Sequence, residues 1–274
     1  MTAVQTRAER RPADLVATGL SKAFGGVQAA ESVDITVPAG EVSGLIGPNG
    51  AGKSTVLKML SGFLRPDRGS LRIGDEDILG RDAAHVARAG VVTTFQHATP
   101  IGELSVLDNV LVGMTRLHAG GVLSAVTGLG PARASERAQR REALDLLERF
   151  DLGAIAQTQA AQLSFGQLRM LELLRAVAAR PRVLLLDEPA AGLNKFETDR
   201  MTDLIGWLSR ERGLGVLLVD HDVGFVFGMC ASITVMNFGR VIYAGNAADV
   251  AADPAVRAAY LGTGSGADQE GGEG

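Results

Sequence analysis

The chain has 274 residues, 46% of them hydrophobic, and so can bury a substantial core as one large domain or as a core with an attached lobe. Its 27 Lys and Arg stand against 31 Asp and Glu, a net charge of -4 that offers no electrostatic footprint for nucleic acid. No stretch reaches the ~18 consecutive apolar residues of a membrane-spanning helix, and Met1 to Arg11 is charged without the apolar run of a secretory signal. The chain is therefore expected in the cytoplasm, touching a membrane through a partner. Cys230, the single cysteine, sits in the apolar run Phe225 to Cys230 and reads as a small buried hydrophobe.

Residues 1–13 are polar and read as a loose tail. Leu15 to Val37 reads as strand and turn, with Val33, Ile35 and Val37 alternating against Asp34 and Thr36. Within it, Phe24 of Lys22-Ala23-Phe24-Gly25-Gly26 is the aromatic best placed to stack on an adenine base. A strand over Val42 to Ile46 leads into Gly47-Pro48-Asn49-Gly50-Ala51-Gly52-Lys53-Ser54, which fits the phosphate-loop pattern G-x-x-x-x-G-K-[ST] and is followed by Thr55. The glycines let backbone N–H groups converge on the β- and γ-phosphates, Lys53 supplies charge, and the Ser54 hydroxyl can ligate Mg²⁺. ATP and Mg²⁺ are the expected cofactors. The helix beyond Gly52 carries Val56, Leu57 and Leu60 on its apolar side.

The strand Val91 to Phe95 ends on Gln96, which is placed to touch both the metal and the attacking water. From Ser105 to Arg180 the pattern is mostly helical, over Val106 to Leu117, Arg133 to Phe150 and Gly166 to Ala179. The Gly-rich stretch His118 to Pro131 and the charged Arg133 to Arg141 read as a solvated loop and helix face. Leu163-Ser164-Phe165-Gly166-Gln167 then opens a helix with a Ser-x-Gly element. Since a phosphate loop already supplies one wall of the chain's own site, Ser164, Gly166 and Gln167 have a phosphate to hold if they face the nucleotide of another subunit.

The apolar strand Val183 to Leu186 delivers Asp187 and Glu188 at its carboxyl end, where open α/β sheets place their ligands. Asp187 is expected to hold the magnesium ion through water and Glu188 to polarise the attacking water as general base. The strand Val216 to Val219 and Asp220 bring His221 within reach of a γ-phosphate. Helices near Glu197 to Arg212 and over Val223 to Met229, and a strand over Ile233 to Met236, complete an alternation that predicts a mainly parallel sheet with helices on both faces. There is no internal repeat. Thr263 to Gly274 is Gly-rich and acidic, without a basic residue, and reads as a second tail.

The phosphate loop, Gln96, Leu163-Ser164-Phe165-Gly166-Gln167, Leu186-Asp187-Glu188-Pro189 and His221 occur in the order of the ABC ATPases, and the resemblance covers Leu15 to Gly262. More narrowly, the chain resembles the ATP-binding subunits of branched-chain amino-acid import systems, through Thr94-Phe95-Gln96, Leu107 to Val112, Pro189-Ala190-Ala191-Gly192-Leu193-Asn194 and Ala259-Tyr260-Leu261-Gly262. The resemblance implies an α/β P-loop NTPase of the ABC ATPase type, with a mainly parallel sheet core, an antiparallel β region and a helical lobe. It places the domain at 14–262, with the lobe at about 97–180 inserted in the core. It also implies a head-to-tail dimer, homomeric or heteromeric, in which Ser164 and Gly166 cap the γ-phosphate held by the partner's Lys53. Further expected partners are membrane permease subunits at the cytoplasmic face and, indirectly, an extracytoplasmic solute-binding protein, with no nucleic acid. Phe165 replaces the usual second glycine of the signature, Asn194 stands where most members have an aspartate, and Lys195 replaces a proline. The implied activity is ATP hydrolysis driving import of hydrophobic amino acids; urea or amide import and a soluble ATPase acting on nucleic acid or ribosomes are the alternatives.

Overall fold

Three short apolar runs decide the architecture: β3 (Val42–Ile46), β7 (Val183–Asp187) and β8 (Gly215–Val219). They are buried almost end to end, as parallel strands covered on both faces are. In the computed structural model, which describes residues 12–94, 100–115, 130–250, 253, 254 and 256 (backbone alone at 115 and 130–135), these strands form the middle of a six-stranded sheet. Its order is β10 (Arg240–Asn246), β9 (Ser232–Asn237), β3, β8, β7 and β6 (Val91–Thr94). All pairings are parallel except that of β10 with β9.

Successive residues of these strands point to opposite faces, so one apolar run feeds two cores. Leu184, Leu186, Val216 and Leu218 join the core built by α3 (Val106–Thr115), α4 (Gly130–Arg149), α5 (Phe165–Ala178), α6 (Lys195–Arg210) and α7 (Val223–Met229). Val183, Leu185, Leu217 and Val219 join the other, with Leu57 and Leu60 of α1 (Lys53–Leu60) and Val86 of α2 (Ala83–Ala89). That second core is closed by a four-stranded antiparallel sheet of β2 (Val27–Val37), β1 (Leu15–Phe24), β4 (Arg68–Ile73) and β5 (Glu76–Asp77). In β2, buried Val33, Ile35 and Val37 alternate with exposed residues, as a sheet wet on one side requires.

The apolar runs and helical periodicities of the sequence are found as elements. The helix expected near Glu197 starts earlier, at Lys195, because Asn194 and Glu197 form a reciprocal capping box. Missing from the sequence reading were α2, β4, β5, β10 and a short helix α8 (Ala247–Val250). β4 buries Leu71 and Ile73 alone, and β10, although it carries the apolar run Val241 to Ala244, buries no residue fully. Much of the proposed tails and of His118 to Pro131 falls outside the described residues. Among those described, no helix is long and apolar enough to cross a membrane.

Helices α3, α4 and α5 follow β6 and precede β7, and pack on one another through Leu107, Val110, Leu147 and Leu171. The end of α4 is tied to α6. The Trp207 ring lies 5.4 Å from that of Phe150, edge to face, with the guanidinium groups of Arg149 and Arg212 at 4.6 Å and 4.8 Å from its centroid. Arg200 donates to the Phe150 carbonyl and pairs with Asp151 at 3.0 Å. Cys230 lies beneath β3, and burial pushes its thiol up to about 12. Because the thiolate is the reacting species, iodoacetamide at pH 8 should label native protein at least ~100-fold more slowly than denatured protein, read by mass spectrometry.

Candidate nucleotide site

Parallel pairing puts the carboxyl ends of β3, β7 and β8 on one edge, with Leu45 of β3 and Asp187 of β7 both in register with Val219 of β8. The phosphate loop leaves β3 there and turns into α1. Its tightness is steric: a Cβ at Gly47 would collide with the Met236 carbonyl, and one at Gly52 with the Ala29 carbonyl. Gly52 (φ 102°) occupies the N-cap of α1 without a side-chain cap, so the first N–H groups of that helix are left for an anion. The β9–β10 turn braces the loop from outside, since Gly239 N–H donates to Ala51 O at 3.0 Å.

Asn49 and Gly50 are exposed, Ala51 is buried, and Pro48 and Thr55 are half-buried. Lys53 Nζ donates to the carbonyls of Gly47 at 2.7 Å and Pro48 at 3.1 Å. Burial lowers its pKa, opposed by the nearby carboxylates of Glu188 and Asp187. The same burial raises Asp187, helped by Glu188 and opposed by Lys53. Lys53 and Asp187 are thus both partly desolvated and close enough to feel each other's charge.

Glu188 adopts φ 48°, a left-handed conformation costly for a side chain, held by its N–H donating to Val219 O at 2.7 Å. Its Oε1 lies 3.6 Å from His221 Nδ1, and the same nitrogen lies 3.6 Å from Asp220 Oδ1. Asp220 was not assigned a role from the sequence, although it directly precedes His221. It is 1% exposed, accepts from Asp222 N–H at 3.0 Å through Oδ1, and leaves Oδ2 buried without a hydrogen-bond partner. Gln96 lies outside the described residues.

Phe24 ends β1 and is 49% exposed, open to a stacking partner. The exposed Ser54 hydroxyl and the Asp187 carboxylate are hard oxygen donors suited to Mg²⁺, which keeps waters and phosphate oxygens as its other ligands. That donor set fits the ion. Among the described residues, no group of three or more His, Cys, Asp or Glu forms an all-protein metal cage.

Ser164 caps α5: its hydroxyl accepts from Gln167 N–H at 3.3 Å, and Gln167 Oε1 accepts from Ser164 N–H at 2.9 Å. The Gln167 side chain is thereby engaged in its own helix cap. Gly166 is buried against Glu197, whose carboxylate occupies the volume a Cβ there would need. The Phe165 ring rests on Gly192 in the loop after Glu188. A Cβ on Gly192 would stand 3.0 Å from Phe165 Cε1, and Arg169 stands 5.3 Å from the ring centroid. These contacts between the signature and the following loop were invisible in the sequence, because their residues lie far apart along the chain.

A strand, glycine loop and helix beside an acid pair and a histidine, on one edge of a parallel sheet, define a phosphate-loop nucleoside triphosphatase. The ABC transporter family profile matches residues 30–191. The high-affinity branched-chain amino acid transport ATP-binding protein BraF of Pseudomonas aeruginosa is 39% identical over 248 residues, covering 90% of this chain and 97% of that protein. The corresponding LivG of Salmonella typhimurium is 39% identical over 252 residues, with the same coverage. A crystal structure of a nucleotide-free ATP-binding cassette from an ABC transporter superposes with a TM-score of 0.77 at 29% identity, covering 90% of this chain and 98% of that one. The chain belongs to the ABC transporter family, and it is an ATPase subunit of that class.

Because the native state raises the pKa of Asp187, it binds that proton more tightly than the unfolded chain does. This group's contribution to stability therefore falls as pH climbs from the ordinary carboxylate value through the raised one. Asp187→Asn should raise the melting temperature of the chain in chelator at pH 7 by a few degrees. The gain should shrink near pH 4, as scanning calorimetry would show.

Proposed function

We propose that this chain is the ATP-hydrolysing motor subunit of an importer for branched-chain or other hydrophobic amino acids. It would work at the cytoplasmic face of the membrane, docked on permease subunits that receive solute from an extracytoplasmic binding protein. The solute class is supported by the extent of similarity to BraF and LivG, which runs along 90% of the chain. The hydrolytic reading rests on one geometric observation: Glu188 Oε1 and His221 Nδ1, 3.6 Å apart, stand beside the carboxyl end of the phosphate-loop strand.

In this reading the N–H groups of Gly50 to Thr55 and the Lys53 ammonium bind the β- and γ-phosphates, and Phe24 stacks on the base. Lys53 exchanges its bonds to the Gly47 and Pro48 carbonyls for phosphate oxygens. Ser54 and Asp187 would hold Mg²⁺, with Gln96 as a further ligand; when bound, the ion neutralises charge developing on the phosphates. The Glu188 carboxylate accepts the proton of the attacking water as its oxygen moves in line onto the γ-phosphorus, while the bond from that phosphorus to the β–γ bridging oxygen breaks and ADP leaves. His221 orients that water and contacts the γ-phosphate.

Ser164 and Gly166, at the positive end of α5, would close on the γ-phosphate held by a second ATPase subunit, identical or similar. Closure would move α3 to α5 and pass that motion to the permease. For Gly166 to meet a phosphate, the Glu197 carboxylate resting on it must withdraw, since two anions cannot share one helix end.

Glu188→Gln should retain ATP affinity while lowering turnover at least ~100-fold, the loss expected for a general base, and should accumulate an ATP-bound dimer in gel filtration. Wild-type turnover would remove Glu188 from the mechanism. The shared site has its own test: Ser164→Arg and Lys53→Ala chains, each inactive alone, should regain partial ATPase activity when mixed, because one composite site is then intact. A mixture as inactive as its components would argue for self-contained sites. Uptake of leucine, isoleucine and valine into proteoliposomes holding the subunit with its co-purified permease tests the solute class.

A further inference from the structure

The tip that carries Phe24 is held by one neighbouring strand. β1 pairs with β2, through an irregular register, as far as Phe24 and Val27, but its pairing with β4 on the other side stops at Ser21 and Arg68. Beyond Phe24 come Gly25 and Gly26, both at positive φ. A base platform on such a tip needs a support from another element.

Asp67 supplies one. Its Oδ1 accepts from Lys22 Nζ at 2.7 Å and its Oδ2 from Ala23 N–H at 2.9 Å, while its own N–H donates to Ser21 O at 2.9 Å. Three consecutive residues before Phe24 are thus bound by one aspartate. Lys22 is 17% exposed, and its ammonium also lies 5.7 Å from the Phe24 ring centroid, within range of a cation–π contact. One cation therefore touches both the carboxylate and the ring. Asp67 belongs to the segment that leaves α1, whose opposite end forms the phosphate cradle. The phosphate subsite and the base platform are joined through it.

We propose that Asp67 is a positioning residue for base recognition, which holds Phe24 through Lys22 and the Ala23 N–H so that the chain binds a nucleoside triphosphate more tightly than a bare triphosphate. The inference rests on the reading of Phe24 as the base platform. The Asp67 carboxylate is 46% exposed, so solvent screens its ion pair with Lys22, and the bond from Ala23 N–H, which fixes the backbone next to Phe24, is the firmer restraint. Asp67 touches no nucleotide; it acts by limiting where Phe24 can be.

Calorimetric titration of the full chain with MgATP and with magnesium tripolyphosphate separates base from phosphate recognition. Phe24→Ala should weaken ATP binding about tenfold, the scale of one lost base stack, and leave tripolyphosphate within twofold. Asp67→Ala should do the same to within a factor of two, and the double variant should be no weaker than Phe24→Ala, because both changes remove one function. Asp67→Asn, isosteric but uncharged, should lose about threefold for ATP alone and serves where the alanine variant does not fold. Equal losses for both ligands in the Asp67 variants would make the residue structural and overturn the proposal. So would ATP binding unchanged by the Asp67 variants while Phe24→Ala weakens it. If Phe24→Ala itself leaves ATP affinity intact, the base-platform reading falls and takes the proposal with it.

Discussion

The site hangs on the parallel pairing of β3 with β8 and of β8 with β7. An antiparallel β8 would send His221 to the edge opposite the phosphate loop and the Asp187-Glu188 pair; parallel pairing brings all three strand exits to one edge. The pairing requires strands covered on both faces, and the alternation of Leu184 and Leu186 against Val183 and Leu185 provides this by feeding two separate cores. The antiparallel sheet and the helices α3 to α7 cover the two sides of that central sheet. Stability and chemistry are linked here: the hydrophobic burial that holds the strands together also holds Glu188 and His221 at the edge.

That edge is locally unfavourable for the fold. Asp187 and Asp220 have raised pKa values because burial disfavours their charged forms, and Lys53 is lowered for the same reason. Glu188 holds a left-handed backbone, and one oxygen of Asp220 is buried without a partner. Such features cost stability and persist where surrounding packing over-determines them, which the buried strands do. A bound triphosphate and its cation would supply the charges and hydrogen bonds that these groups face.

The signature helix is also built against the strand edge of its own chain. Phe165, in place of the glycine usual at that position, fills the space above Gly192, and Glu197 covers Gly166. Movement of the loop after Glu188 therefore presses on the element proposed to serve a second subunit's nucleotide. Asn194, which stands where an aspartate is usual, has its side chain engaged in the cap of α6. Two departures from the family pattern thus have structural roles within one chain.

The sequence by itself determined what is local. Strand β3, the glycine loop and α1 were legible because short-range sterics and an apolar run specify them, and the order of motifs identified the family. The edge position of Asp187, Glu188 and His221 was legible too, since residues at or just past the end of a buried parallel strand have one edge to emerge on. Tertiary structure decided everything that depends on residues distant in the chain: that Glu188 and His221 face each other, that Phe165 meets Gly192, that Asp220 is wholly buried, and that Asp67 holds Lys22 and Ala23. It also decided β4, whose weak apolar pattern becomes a strand through pairing with β1, and β10, whose short apolar run is placed at the sheet edge by pairing with β9. The physical reason is common to all of these. Periodicity encodes which way a side chain points along its own element, whereas a contact between elements depends on register and packing that the completed core sets.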